Sequence, residues 1–232
     1  MKCYSPISDI KIYSFAFQPI DSRMYVVLDL NENRKAIVID PCVSEEAYDL
    51  LVQHGIKELT VILTHEHYDH ISGVNWLRDL FHCKVIANKV CSRVICDSVK
   101  NRSKYFPALF VFHPMEVQNQ IREMNIQPYT CKADVTFDDN DTFSFGRHTV
   151  FMKTTPGHSP SSICIIVDNT CLFSGDTLLR TQPILRKPEG NKKTYFEETI
   201  PWLKTLNNGM QVYPGHGDAG KFTEMYFDFG RG

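Results

Sequence analysis

The amino-acid pattern predicts an α/β fold in which two β-sheets pack face to face with helices over both outer surfaces, a four-layer αββα sandwich. Three observations carry this expectation. Strand-sized apolar segments recur in both halves of the 232 residues, helix-period segments lie between them, and no linker rich in Gly, Ser or Pro separates the halves. With 43% hydrophobic and 22% charged residues, the composition supports a large packed core. One domain covering 1–232 is therefore expected, with a mostly helical insert at about 88–130.

Residues 10–17, 24–30 and 35–40 are rich in β-branched and aromatic side chains and are separated by Gln-Pro-Ile-Asp and Asn-Glu-Asn turn signals, which predicts a strand meander. Ser44 before Glu45 and Glu46 reads as a helix start, and Gly55 as its stop. Residues 59–63 form a buried-type strand that runs into Thr64-His65-Glu66-His67-Tyr68-Asp69-His70, after which 71–81 reads as a helix. The polar cluster thus sits on a strand-to-helix loop, where catalytic groups are commonly mounted. A strand at 84–87 precedes the insert with its aromatics Tyr105, Phe106, Phe110 and Phe112. Further strands are predicted at 133–137, 142–145, 149–153, 162–167, 171–174 and 210–213, and a helix at 194–206.

Charge and cysteine usage exclude several classes. Lys plus Arg number 25 against 27 Asp plus Glu, a net charge of −2 that gives no electrostatic footprint for nucleic acid. The N-terminus has no continuous apolar run, because Ser5, Pro6, Ser8, Asp9 and Lys11 interrupt it, and no stretch reaches the roughly 18–20 apolar residues that cross a bilayer. A soluble cytoplasmic protein is expected, with no membrane partner. Eight cysteines without any CxxC pair read as reduced thiols that fill the core.

The chemistry concentrates in histidine. Five of nine (65, 67, 70, 158 and 216) lie in loops directly after strand-like runs. Residues 65–70 bring three imidazoles and two carboxylates together, a density that a bound metal relieves. Imidazole plus carboxylate suits Zn, with Fe or Mn as alternatives. It is not a helical HExxH site, since Asp69 stands four residues after His65. Three more loops, Pro156-Gly157-His158, Ser174-Gly175-Asp176 and Pro214-Gly215-His216, each place a Gly beside a ligand-type residue. A Gly there lets the backbone bend close to an ion.

These four motifs in this order resemble the metallo-β-lactamase-fold superfamily, over about residues 24–216. The resemblance implies His65, His67 and His158 on one metal, Asp69, His70 and His216 on a second, and Asp176 bridging the two. Asp69 and Asp176 would be the catalytic carboxylates, and Asp40 would support a ligating histidine from behind; as a plain strand-end residue it would simply make a turn. Thr64 and Ser174 either tie neighbouring loops together or serve as ordinary turn residues. Exported β-lactamases place Cys or Ser near the bridging position, and flavodiiron proteins have Glu where this chain has His67. The RNA-processing branches carry large inserts or extra domains. Glyoxalase-II-like hydrolases and lactonases keep the bridging Asp, so that branch is the nearest resemblance. Two departures go with it. Only 16 residues follow His216, too few for the glutathione-holding domain of glyoxalase II. Thr177, Leu178 and Leu179 stand where lactonases carry a Tyr.

The implied function is a metal-dependent hydrolase, with two Zn2+ and a metal-bound hydroxide, that cleaves an ester, thioester or lactone in a small metabolite. The alternative from the same fold is a persulfide-dioxygenase-like oxidoreductase with one iron. No Ser or Cys nucleophile is needed, and Cys42 is expected as a buried neighbour. For substrate contact the candidates are Tyr68 and the basic segment that holds Arg180, Arg186, Lys187, Lys192 and Lys193, which either receives an acidic group or forms a solvated face. His54, His82, His113 and His148 fall outside every motif and read as ordinary surface or core residues. Oligomeric state is open.

Overall fold

In the computed structural model the described residues are 1–31, 34–186 and 188–227; Glu32 and Asn33 of the expected turn, and Lys187 of the basic segment, lie outside them. The first sheet runs β1 (Lys2–Ile7), β2 (Ile10–Phe17), β3 (Ser22–Asp29), β4 (Lys35–Ile39), β5 (Glu58–Ile62), β6 (His82–Asn88) and β7 (Val135–Phe137), in that spatial order. Its first four strands pair antiparallel and its last four parallel. The second sheet is built from β8 (Asn140–Phe145), β9 (His148–Thr154), β10 (Ile163–Val167), β11 (Cys171–Gly175), β12 (Gln211–Pro214) and β13 (Gly220–Lys221), in the order β13-β12-β11-β10-β9-β8.

Period-2 alternation sorts the side chains into three apolar layers. Ile10, Ile12, Ile37 and Ile39 from one sheet meet Val150, Met152, Ile163 and Ile165 from the other to form the centre of the sandwich. On the opposite face of the first sheet, Ala36, Val38 and Val61 pack under Leu50, Leu51 and Leu77 from the helices. Across the second sheet, Cys164, Ile166 and Val212 are covered by Tyr195, Ile200 and Leu203. The four-layer α/β arrangement is therefore present.

Helix α1 (Glu45–Gln53) starts as its sequence directs, with the Ser44 hydroxyl accepting from the Ala47 N–H at 3.2 Å. The helix expected at 71–81 is instead two pieces, α2 (Tyr68–Ile71) and α3 (Val74–Leu80). The break falls at Gly73, where any Cβ would lie 2.7 Å from the Cys42 backbone, so close chain contact sets the local path. In the insert, α4 (Lys89–Val94), a 3-10 segment (Ser103–Phe110) and α5 (Met115–Glu123) are joined by turns. The helix expected at 194–206 runs as α6 (Lys192–Thr194), a π turn (Tyr195–Thr199) and α7 (Ile200–Leu203). Pro201, which has no N–H to return to Glu197, lies just past the widened turn.

Strands β1 and β13 were not anticipated. The first is a half-exposed edge strand whose pairing turns irregular between Tyr4 and Ile7, around Pro6, so it lacks an apolar signature. Of the cysteines, 42, 91, 131, 164 and 171 are buried as expected, whereas Cys3 and Cys96 are exposed. No helix among the described residues is long and apolar enough to cross a membrane.

Candidate metal centre

All seven motif residues converge at one end of the sandwich. The loop leaving β5 carries His65 and His67, and Asp69 and His70 follow in α2. His158 follows β9, Asp176 follows β11, and His216 follows β12. The last loop is tied to the first sheet, because the Arg23 N–H donates to Gly215 O at 2.7 Å and Ser22 forms a bridge with His216. Glycine is required twice here. Gly175 has φ +48, and a Cβ on it would meet the Thr64 hydroxyl at 2.5 Å, while a Cβ on Gly215 would overlap the Asp176 carboxylate.

Two groups of donors face each other. His65 Nε2 and His158 Nε2 lie 3.0 and 3.1 Å from His67 Nδ1. Asp69 Oδ2 lies 3.3 Å from His70 Nε2 and 3.5 Å from His216 Nε2. Asp176 stands between them, with Oδ2 at 3.4 Å from His158 Nε2 and 3.5 Å from His216 Nε2, and Oδ1 at 3.6 Å from His70 Nε2.

The opposite ring nitrogens fix the tautomers. His158 Nδ1 is 2.9 Å from Ile184 O, and His216 Nδ1 is 3.1 Å from Ile20 O; a carbonyl only accepts, so both rings carry their proton on Nδ1. His70 Nδ1 donates to Asp40 Oδ2 at 2.9 Å. Asp40 also accepts from the Thr64 N–H at 2.7 Å and from the Thr64 hydroxyl at 2.5 Å, and that hydroxyl oxygen lies 3.0 Å from His65 Nδ1. Each of these Nε2 lone pairs is therefore aimed inward. His70 Nε2 and Asp176 Oδ1 are buried without any hydrogen bond. Orphaned donor atoms of this kind, converging from two sheets, fit bound metal better than they fit each other.

Electrostatics follow from the packing. Burial, reinforced by His70, His67 and His158, pushes the His65 imidazole well below its ordinary value, and burial with His158 and Arg102 does the same to His67. Burial opposes ionisation of Asp69, yet His70 and His216 beside it hold its carboxyl well below the usual carboxylate range. His70 is raised despite burial by Asp69, Asp176 and Asp40, and His216 is raised to about 9 despite burial by Asp176 and Asp69. Burial pushes the Asp40 carboxyl up, against the pull of His70. Burial likewise pushes the Cys42 thiol up to about 12, which leaves it inert beside the site.

The family model described as the metallo-beta-lactamase superfamily matches residues 19–216. The chain belongs to that superfamily. Human mitochondrial persulfide dioxygenase ETHE1 is 26% identical over 204 residues, 86% of this chain and 66% of that protein, so the chain spans just under two thirds of that relative. The probable polyketide biosynthesis zinc-dependent hydrolase PksB of Bacillus subtilis is 24% identical over 202 residues, 86% of this chain and 75% of the relative. A hydroxyacylglutathione hydrolase of Photorhabdus laumondii is 27% identical over 160 residues, 69% of this chain and 49% of the relative. The crystal structure of the BLEG-1 B3 metallo-beta-lactamase superposes with a TM-score of 0.72 at 24% identity, over 90% of this chain and 93% of that one, and shares the fold.

Within this superfamily frame, a cleft of about 620 Å³ opens over the donors. Tyr68 lines it, edge-on to Phe106 at 5.0 Å between ring centres. Arg186 also lines it, whereas Arg180 is turned away: its guanidinium donates to Ala219 O at 3.0 Å in a separate depression beside Gly220, because β13 and the following segment occupy that side. Lys193 pairs with Glu197 across one exposed helical turn.

Three positions at or beside the centre were not among the sequence candidates. Arg102 reaches the cleft from the insert and is gripped by both carboxylate oxygens of Glu189, which joins the insert to the 180–190 segment. His113, read as ordinary, lies at the rim of the cleft. Glu66, between two ligand-type histidines, is buried and accepts from the Ser159 hydroxyl at 2.8 Å and from the Ser161 hydroxyl, which pins the His158 loop to the first sheet. Only the HxH spacing hinted at Glu66; the other two depend on tertiary contact.

Proposed function

We propose that the chain is a dinuclear metallo-hydrolase that cleaves an ester, thioester or lactone bond in an acidic small molecule. The observation that supports it best is the pair of three-donor groups with Asp176 between them, since both halves of the site are complete. His65, His67 and His158 would hold one ion and Asp69, His70 and His216 the other, with Asp176 shared. When bound, a pair of divalent ions supplies an activated water at neutral pH and an electrophile for a carbonyl oxygen.

The chain's own residues do the rest. Asp69, ionised at neutral pH, is too weak a base to take a proton outright and instead orients a water by accepting its hydrogen bond. Asp40 and the Ile184 and Ile20 carbonyls hold the imidazoles in register. Phe106, Phe110 and Ile184 form an apolar wall for the body of the substrate, while Arg186 offers its guanidinium to a carboxylate or phosphate and Arg102, already paired with Glu189, lines the same cleft.

A second reading, an iron-dependent persulfide dioxygenase-like oxidoreductase, draws on the 26% identity to human ETHE1. Metal analysis joined to two assays separates them. Two zinc ions per main centre and hydrolysis of a thioester and lactone panel support the proposal; one iron with oxygen uptake on glutathione persulfide overturns it.

A further inference from the structure

At the opposite end of the sandwich lies a second buried donor cluster that plays no part in the reaction above. His148 opens β9 and is 5% exposed; Asp29 closes β3 and is 3% exposed; Asp9 sits in the turn between β1 and β2. His148 Nε2 lies 3.6 Å from Asp9 Oδ2 and 3.7 Å from Asp29 Oδ2. Both distances exceed the roughly 3.2 Å limit of a good hydrogen bond. His148 Nε2 and Asp29 Oδ2 are each buried without a hydrogen-bond partner.

The far side of the ring explains where Nε2 points. His148 Nδ1 is 2.5 Å from Asp168 Oδ2, and the other oxygen of Asp168 accepts from the Thr149 N–H at 2.8 Å. A carboxylate on Nδ1 holds the proton there and directs the Nε2 lone pair outward, the arrangement in which histidines ligate metals. The two acids are also pre-set. The Asn31 N–H donates to Asp29 Oδ1 at 2.8 Å and the Asn31 side-chain amide to Asp9 Oδ2 at 3.1 Å, which leaves Asp29 Oδ2 facing the imidazole. Among the described residues no lysine or arginine pairs with Asp9, Asp29 or Asp168, so three carboxylates gather around one imidazole.

We propose that Asp9, Asp29 and His148 form a second, structural binding site for a divalent cation of the zinc class. One imidazole nitrogen and two carboxylate oxygens select a borderline ion over calcium or magnesium. Bonds of about 2.0–2.2 Å opening near the tetrahedral angle place donors roughly 3.4 Å apart, so the two distances from His148 Nε2 to the carboxylates need to close by only a few tenths of an ångström. The ion would staple the sheets together, since Asp29 and the β1–β2 turn that carries Asp9 belong to the first sheet, and His148 opens β9 in the second. The length of β9 separates this site from the candidate catalytic centre, on the order of 20 Å away, so the two can be emptied independently.

The test counts zinc. The full-length protein is stripped with a chelator, reloaded with Zn2+ and gel-filtered, and zinc per chain is measured for wild type, His148→Gln and Asp29→Asn. One zinc fewer in each variant, together with a smaller zinc-induced rise in Tm, supports the site whatever the main centre retains. Equal zinc content in all three overturns it. Wild-type protein with labelled histidine and saturating 113Cd2+ gives a second readout that does not depend on the variants folding. A cadmium coupling to His148 Nε2 supports the proposal; a proton on that nitrogen refutes it.

Discussion

Replacing Asp40 with Asn isolates what holds His70 in place. Asp40 has φ +50, a left-handed backbone that Asn tolerates as well as Asp, so the substitution adds no strain. Its carboxylate serves three donors: Oδ1 takes the Thr64 N–H at 2.7 Å, and Oδ2 takes the Thr64 hydroxyl at 2.5 Å and His70 Nδ1–H at 2.9 Å. An amide has one oxygen. With that oxygen toward Thr64 N, the NH2 faces His70 Nδ1–H, donor against donor; flipped, it faces the Thr64 N–H instead. The first arrangement costs less, because the Thr64 hydroxyl can turn to accept and His70 can move its proton to Nε2. That move removes the lone pair from the metal side. Losing such a partner lowers metal affinity by about 10–100-fold, roughly 1.4–2.8 kcal/mol. Competition against a chromophoric zinc chelator measures it, with circular dichroism checking that the fold persists. A variant that stays folded and binds zinc within twofold of wild type would show that Asp40 does not set the His70 tautomer.

Other perturbations probe the remaining parts. Gly215→Ala adds a methyl where the Asp176 carboxylate stands and 3.0 Å from His70 Cε1, with no positive φ to complicate it; a shift of about 1 Å in a catalytic group costs on the order of 100-fold in kcat. Arg186→Ala is expected to raise KM for an anionic substrate about tenfold or more, with kcat nearly unchanged, from the loss of a charged hydrogen bond worth about 1.5–3 kcal/mol; an unchanged KM places the anion elsewhere. In chelator-stripped protein, His216 has a folded value of about 9, above the roughly 6.5 of the unfolded chain. Its stabilising contribution is thus fully present below about pH 6.5 and lost as pH rises through about 9. Melting curves should show Tm falling over that window, and His216→Gln should flatten the fall. Thiol labelling of the native protein at pH 8 should modify Cys3 and Cys96 first and leave Cys42 untouched, and rapid labelling of Cys42 would contradict its burial.

Much of the architecture is written in local pattern. Enrichment in β-branched and aromatic residues over 10–17 and 35–39 marks the strands, and Ser44 with Glu45 and Glu46 marks the start of α1, because these signals involve neighbours in the chain. The donor residues were readable because each motif sits at a strand end, the first as a dense run of histidines and acids and the other three as a glycine beside a ligand-type side chain. The missing pieces depend on partners distant in sequence. Gly73 splits a helix because Cys42 passes beside it, Arg102 reaches the cleft because Glu189 is there to grip it, and Arg180 leaves the cleft because Ala219 offers a carbonyl. His148 looked ordinary since its three carboxylates are 20 or more residues away along the chain.

The division of the donors between the sheets has a bearing on how the molecule is made. His65, His67, Asp69 and His70 belong to the portion synthesised first, and His158, Asp176 and His216 to the portion that emerges later. A nascent chain that has finished only its leading half can offer a cation an incomplete grip, and full chelation waits until the trailing half has docked. Ion capture is thereby coupled to the closing of the two halves, so metal binding adds its free energy to the docked arrangement and not to either half alone.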